Sequence, residues 1–236
     1  MWWAGSGRTT RLWLGRNFAA LSPAGGAESV SEAGFANVRS AMEWLRAEAS
    51  APKTPRRWTV MLSSGLARPF VFKPPQGLKT QQEVHAVANA LAVEEAGWSE
   101  DVRVWVSAPD AAGQCLGVAA AAPALALIEE AATEAGARLL SVRPGWALLT
   151  DGAGSTIVSS TTGPELLIAA DPDGLVALAG DQLHWVWGGA IDARAAEAGG
   201  AAWRTRLAMR LQVQAPPVEY LLDGTSWALA RSRAAA

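Results

Sequence analysis

The stretch Gln82–Arg143, QEVHAVANALAVEEAGWSEDVRVWVSAPDAAGQCLGVAAAAPALALIEEAATEAGARLLSVR, decides how this chain is read. Val84, Val87, Ala88, Leu91 and Ala92 recur at helical spacing and make one apolar stripe. Gly97 follows where a helix stop belongs. Val102, Val104, Val106 and Ala108 then alternate with Arg103, Trp105 and Ser107, which predicts a strand with one buried face. Pro109-Asp110 and Gly113 mark a turn, and Gln114–Ala121 is the hairpin partner. Pro123 sits at a first helical position. Leu125, Ile128, Ala131, Ala132 and Ala135 face one way until Gly136 ends the helix, and Ala137–Val142 is the next strand. This α-β-β-α-β order predicts a small sheet with helices on one face.

The totals bound the rest. A chain of 236 residues allows one large domain or two small ones. Half of its residues are hydrophobic, enough for a sizeable core, so it is not a disordered chain. A net charge of −2 gives no general footprint for nucleic acid or an anionic membrane. The single Cys115 excludes an internal disulfide and a cysteine-rich metal site. The apolar run from Val118 to Ile128 is too short for a membrane span of about 20 residues. The first residues hold no signal-peptide core. These features point to a soluble cytoplasmic protein. Twelve tryptophans stand against one tyrosine, and the sequence offers no single physical account of that excess.

Before the central stretch, residues 1–10 read as a loose arm. Arg11–Leu21 reads as a first strand and Ala27–Ser31 as a short returning one. Phe35, Val38, Met42, Leu45 and Ala49 follow helical spacing until Pro52 and Pro55. Trp58–Ser64 is a strand, and Leu66–Phe72 is a second. After Arg143, Pro144–Thr150 reads as a short helix and residues 151–154 as a loop. Thr156–Ser160, Glu165–Ala170 and Leu175–Leu178 read as strands, the last two joined by a Pro172-Asp173-Gly174 hairpin turn. Leu183, Trp185 and Trp187 alternate on another strand, and residues 188–202 form a linker or a short helix. Leu207, Met209, Leu211 and Val213 alternate with Arg204, Arg206, Arg210 and Gln212, which predicts a strand with a basic face. Residues 221–229 read as a final hairpin. No repeat recurs at a fixed period.

No motif specifies a catalytic site. Gly152-Ala153-Gly154-Ser155-Thr156 lacks the lysine of a phosphate loop and the spacing of a dinucleotide fingerprint, so it reads as a turn. His85 and His184 have no second histidine at ligand spacing and read as ordinary side chains. Ser63-Ser64-Gly65 precedes a strand instead of a helix, so it is a turn and not a nucleophile elbow. The three arginines read as a solvated face, with phosphate contact as the alternative. Trp185 and Trp187 share one strand face, either as core or as a partner-binding spot.

The order of elements, with Leu62–Val84 (LSSGLARPFVFKPPQGLKTQQEV), Val102–Asp110 (VRVWVSAPD) and Gln114–Leu149, resembles the PilM, FtsA and GspL group of actin-like proteins across residues 11–180. The resemblance implies an α/β (α+β mixed sheets) chain of actin-like, ribonuclease H-like architecture. It divides the chain into a flexible arm (1–10), a first actin-like sheet subdomain (11–81), an inserted αββαβ subdomain (82–143) and a reduced, mostly β second half (144–236). Nucleotide-binding members carry an Asp-x-Gly turn after the first strand and another in the second half. Leu12–Arg16 lacks that aspartate, and so does Thr156–Ser160, taken as the second-half counterpart. Such aspartates place the metal or the attacking water. Without them the resemblance implies no cofactor, no catalytic or metal-binding residue and no enzyme. It implies a cytoplasmic scaffold of a type IV pilus or type II secretion-like machine. Such a scaffold is held at the inner membrane by a PilN-like cytoplasmic segment, with an assembly ATPase as a further partner. Contact elements would be Arg68, Phe70 and Phe72 on one strand, and Trp185 and Trp187. The alternatives are a residual actin-like ATPase and a nucleic-acid accessory using the arginine-bearing strand.

Overall fold

The computed structural model describes residues 9–231 apart from 24–28, 50–56, 79, 96–97, 99–100, 151–162, 182–183, 201 and 224–227. The readings of 151–154 and Thr156–Ser160, and most of the N-terminal arm, lie outside the described residues.

The first sheet is built from β1 (Thr9–Leu14), β2 (Phe18–Ser22), β3 (Val30–Ala33), β4 (Arg57–Leu62) and a late strand, β8 (Arg138–Pro144). Its order is β3-β2-β1-β4-β8, with β1, β4 and β8 parallel and β2 and β3 antiparallel additions. Arg11–Leu21 is therefore two strands and not one. The chain reverses at Gly15-Arg16-Asn17, closed by the Gly15 amide on the Phe18 carbonyl at 2.9 Å, and the Trp13 and Phe18 rings meet edge to face at 4.7 Å. Alternation runs through both strands, so the periodicity of the sequence hides the break.

Helix α1 (Val38–Glu48) starts at Asn37, whose side chain accepts from the Ser40 amide while the Ser40 hydroxyl answers the Asn37 amide. It buries Ala41, Met42 and Leu45 against β1 and β2. Helix α2 (Gln81–Glu95) starts with the same reciprocal cap between Thr80 and Glu83. Helix α3 (Ala122–Glu134) has Pro123 in its first turn. It closes with the Gly136 amide on Thr133 and the Ala137 amide on Ala132, the bond pair of a glycine-terminated helix.

The small sheet differs from expectation in membership. Its order is β5 (Ala67–Phe72), β7 (Cys115–Ala121), β6 (Val102–Val106), all antiparallel. The strand after α3 leaves it to lie parallel to β4, and β5 takes its place. A helix between two parallel strands of one sheet is the ordinary crossover. The long connection from β4 to β8, which ends in α3, performs that crossover, so β8 returns to the main sheet. Phe70, Phe72, Cys115, Ala119 and Val104 join one core with the helices. Pro69 and Val71, on the other face of β5, lie under the second half at Gly188.

The second half repeats the first. β9 (Glu165–Asp171), β10 (Gly174–Gly180) and β11 (Trp185–Ile191) form an antiparallel meander, and β12 (Val218–Asp223) lies parallel to β9. The order β11-β10-β9-β12 matches β3-β2-β1-β4 strand for strand and direction for direction. β13 (Ala228–Arg231) pairs with β12 as the final hairpin. A one-turn 3-10 helix, Gly145–Leu149, links the halves. Residues 188–191 complete β11, and α4 (Ala193–Ala198) follows.

The expected basic strand at 204–213 is a helix, α5 (Ala202–Arg210). Trp203, Leu207 and Leu211 pack with Ala208 against the second-half sheet. Their four-residue spacing fits a helix as well as Leu207, Met209 and Leu211 fit a strand. Burial decides: Met209 is 65 % exposed. Among the described residues no helix is long and apolar enough to cross a membrane.

Candidate functional site

Three turns meet at the seam between the halves. The β1–β2 turn brings Arg16, the β4–β5 turn brings Ser63-Ser64-Gly65, and the β9–β10 turn brings Asp171-Pro172-Asp173-Gly174. The first two are joined by the Ser63 amide, which donates to the Leu14 carbonyl at 3.0 Å.

The third turn clasps them with two carboxylates. Asp171 Oδ2 accepts from the Ser64 amide at 2.6 Å and Oδ1 from the Ser64 hydroxyl at 2.7 Å. Oδ1 also accepts from the amides of Asp173 at 2.9 Å and Gly174 at 3.2 Å, which shapes the turn. Asp173 Oδ2 accepts from the Arg16 amide at 2.7 Å and from the Ser63 hydroxyl. Ser63 and Ser64 are buried. A β-carbon on Gly65 would lie 2.5 Å from Asp173 Oδ2, so the clasp requires a glycine there.

Burial pushes the Asp171 carboxyl up to about 6, against the Ser64 and Asp173 donors that pull it down. Arg16 sends its guanidinium Nε to the Gly65 carbonyl at 2.9 Å. Its guanidinium lies 5.9 Å from the Trp98 ring centroid, and that of Arg68 lies 4.7 Å from the same ring. Burial, with Arg16 nearby, lowers the Arg68 pKa.

The sequence places the second-half counterpart of the first strand at Thr156–Ser160. The topology corrects this: β9 occupies the place of β1, and β9 ends on Asp171. The second half therefore does carry an aspartate at its first turn. No local signal reveals this, because the DPDG run reads equally well as a plain hairpin. Only the matching strand order shows that it faces Ser63-Ser64-Gly65, a run that also reads as nothing more than a turn.

The residues expected to meet a partner do not form one surface. Phe70 and Phe72 are 2 % and 7 % exposed and stack on each other at 5.7 Å in the core. Arg68 is half-buried beside Trp98. Trp185 and Trp187 are on different sides of their strand. The ladder slips at Ala179/Gly180, so Trp187 opposes Ala179 and Trp185 opposes Gly180. The two indoles thus fall on opposite faces. Trp185 packs against the cluster that holds Trp146, Val176 and Leu178, and Trp187 against the one that holds Ile168, Ala177 and Ala208. Among the other singled-out residues, Arg204 pairs with Glu219, and Arg206 and Arg210 are exposed on α5. His184 Nδ1 lies 3.3 Å from Asp181. Among the described residues no group of three or more His, Cys, Asp or Glu is arranged to hold a metal ion.

A second feature lies on the small sheet. Among the described residues no strand pairs the outer edge of β6. The Ser107 amide donates inward to Leu116, and antiparallel alternation then turns the backbone groups of Val102, Val104 and Val106 outward. At the end of that edge is a groove of about 570 Å³, lined by Pro74, Pro75, Leu78, Val84, Val106 and Pro109, with His85 on its wall.

Solved structures with a similar fold include the following. The cytoplasmic domain of EpsL, an inner-membrane component of the type II secretion system of Vibrio cholerae, matches with a TM-score of 0.50 at 16 % identity, over 83 % of this chain and 76 % of that one. The PilM–PilN type IV pilus biogenesis complex matches with a TM-score of 0.53 at 15 % identity, over 93 % and 82 %. A Bacteroides thetaiotaomicron protein with an actin-like ATPase fold and unknown function matches with a TM-score of 0.58 at 10 % identity, over 90 % and 80 %. The fold is actin-like. The seam clasp thus joins the two halves of an actin-like body, and the β5-β7-β6 sheet stands between strands of its first half. No protein-family model matches the chain, and no curated protein matches it.

Proposed function

We propose that this chain is a non-enzymatic docking component of an inner-membrane assembly machine of the type II secretion or type IV pilus kind. In this reading it sits at the inner face of the membrane through a protein partner, whose cytoplasmic segment it binds in extended form. The observation that carries the non-enzymatic part is the clasp. The Ser64 and Arg16 amides and both serine hydroxyls, the donors an anionic ligand would use, already serve Asp171 and Asp173. Two of the similar folds are named as components of such machines, one of them solved as a complex with a second protein. The β6 edge supplies main-chain pairing for an added strand, and the adjoining groove supplies a pocket for apolar side chains.

A proline tests the edge. Val106 turns its amide outward, so Val106→Pro removes an edge donor without breaking the β6–β7 ladder. The probe is a labelled synthetic peptide of the host's PilN-like cytoplasmic segment, followed by fluorescence anisotropy. Wild-type protein is expected to bind it, and Val106→Pro to bind it about tenfold more weakly, the loss of one edge hydrogen bond. A wild-type chain that does not bind the peptide contradicts the reading.

The presence of Asp171 and Asp173 at the second-half turn favours a second reading, the residual actin-like ATPase. There the clasp would open and the carboxylates would turn to a metal-bound nucleotide.

A further inference from the structure

The open edge of the small sheet is a strand built symmetrically about its middle residue, Val102-Arg103-Val104-Trp105-Val106. Its odd-numbered neighbours spend their backbone groups on the β7 side, as the bonds from the Ser107 amide to Leu116 and from the Ala122 amide to Asp101 show. Val102, Val104 and Val106 therefore turn theirs outward. Val104 packs its side chain into the core. Arg103 and Trp105 share the opposite face, both exposed, Trp105 at 44 %. β6 has no proline and its ladder with β7 has no bulge, so two of the devices that keep an edge from pairing are missing.

We propose that β6 pairs antiparallel with β6 of a second copy of this chain, centred on Val104, so that two three-stranded sheets become one. Antiparallel strands are related by a two-fold axis, so an edge that meets its own copy has to complement itself. Centred on Val104, the outward valines exchange main-chain bonds, Val104 with Val104 and Val102 with Val106 of the second copy. Arg103 falls opposite Trp105 of the second copy, and the axis makes this contact twice. Both are non-hydrogen-bonded pairs, whose side chains lie closest, and a guanidinium on an indole face is attractive there. Arg103 now meets Glu129 at 3.0 Å, an exposed pair that holds it loosely. The neighbouring registers are poorer. Centred on Arg103, the pairing sets two arginines against each other. Centred on Trp105, it stacks two indoles but runs past the end of β6 at Val106 and keeps fewer main-chain bonds. A five-residue pairing is smaller than a standard stable interface, so the dimer is of the weak class, half-formed at about 100 µM. The same edge is the one proposed above for a partner strand, so self-pairing and docking exclude each other.

Sedimentation equilibrium of the full chain, with no peptide present, tests this. The average mass should rise from one chain toward two between about 10 and about 500 µM. Val106→Pro removes one edge donor from each copy and should weaken the dimer about a hundredfold. Cysteine trapping reads the register. Arg103→Cys and Trp105→Cys chains, mixed and oxidised, should cross-link to each other, since their α-carbons oppose at about 4.5 Å, and neither should cross-link alone. Native Cys115 is buried and stays out of the exchange. A chain that is monomeric throughout that range overturns the self-pairing. So does Trp105→Cys cross-linking to itself in preference to Arg103→Cys. Neither measurement involves the peptide, so self-pairing and the docking reading fail separately.

Discussion

Gly117→Val is expected to destabilise the chain by about 3 kcal/mol, the upper end for overpacking a filled core. Gly117 is mid-strand in β7, the central strand of the small sheet, and its register partner is Phe70. A β-carbon there would come within 2.3 Å of Phe70 Cζ and within 2.7 Å of two further ring atoms. The ring cannot yield easily: Phe70 is 2 % exposed and stacks on Phe72. The strand would have to bow, and both of its ladders would weaken. Urea unfolding should show the midpoint falling by that amount. The cause is specific, so a second substitution checks it. Phe70→Leu in the Gly117→Val background should recover part of the loss, a coupling that distant sites do not show. Equal effects of Phe70→Leu in both backgrounds would remove the steric explanation.

Trp146→Ala is expected to cost about 4 kcal/mol, as for large-to-small changes in a closed core. Trp146 is 2 % exposed on the 3-10 helix that links the halves. Its indole packs with Leu149, Leu167, Ala169, Val176 and Leu178 under the second sheet. Its Nε1–H donates to the Ala67 carbonyl at the start of β5, at 3.0 Å. The residue thus supplies both apolar volume and a polar tie across the molecule. Trp146→Phe separates the two. It keeps much of the ring and loses the donor, so about 1–2 kcal/mol is expected from the buried carbonyl left without this partner. Denaturant midpoints measure both. A Trp146→Phe chain as unstable as Trp146→Ala would show that the hydrogen bond, and not ring volume, dominates.

The same indole bears on the tryptophan count. Trp13, Trp58, Trp98 and Trp146 are all buried, and they belong to three separate clusters. Trp185 and Trp187 extend two clusters from half-buried positions. Among the described residues tryptophan is largely a packing residue spread over several small cores, with Trp105 on β6 the exposed exception.

Local signals made the helices and hairpins legible. The stripes of α1, α2 and α3, the proline and glycine at the two ends of α3, and the turns at Asp110 and Asp173 are each decided within a few residues. What the sequence hid is non-local. Nothing in Ala67–Phe72 says that it pairs with Cys115–Ala121, and nothing in Arg138–Pro144 says that it returns to β4. Residues 203–211 satisfy both helical and strand spacing, so the side facing the sheet had to choose. The clasp was hidden for the same reason. Its residues are separated by 107 and 110 positions, and each run is an ordinary turn by itself. The actin-like outline was visible as an order of elements, whereas the second-half counterpart of β1 was misplaced because it is fixed by strand pairing.

The central claim is that the seam of this actin-like body is closed by the protein's own carboxylates and does not serve a nucleotide. Calorimetric titration of the full chain with ATP and magnesium, paired with an assay for released phosphate, addresses it directly. The account predicts no saturable heat up to about 1 mM nucleotide, an affinity weaker than about 4 kcal/mol, and no phosphate release. Saturable one-site binding with phosphate release that disappears in Asp171→Asn would contradict it.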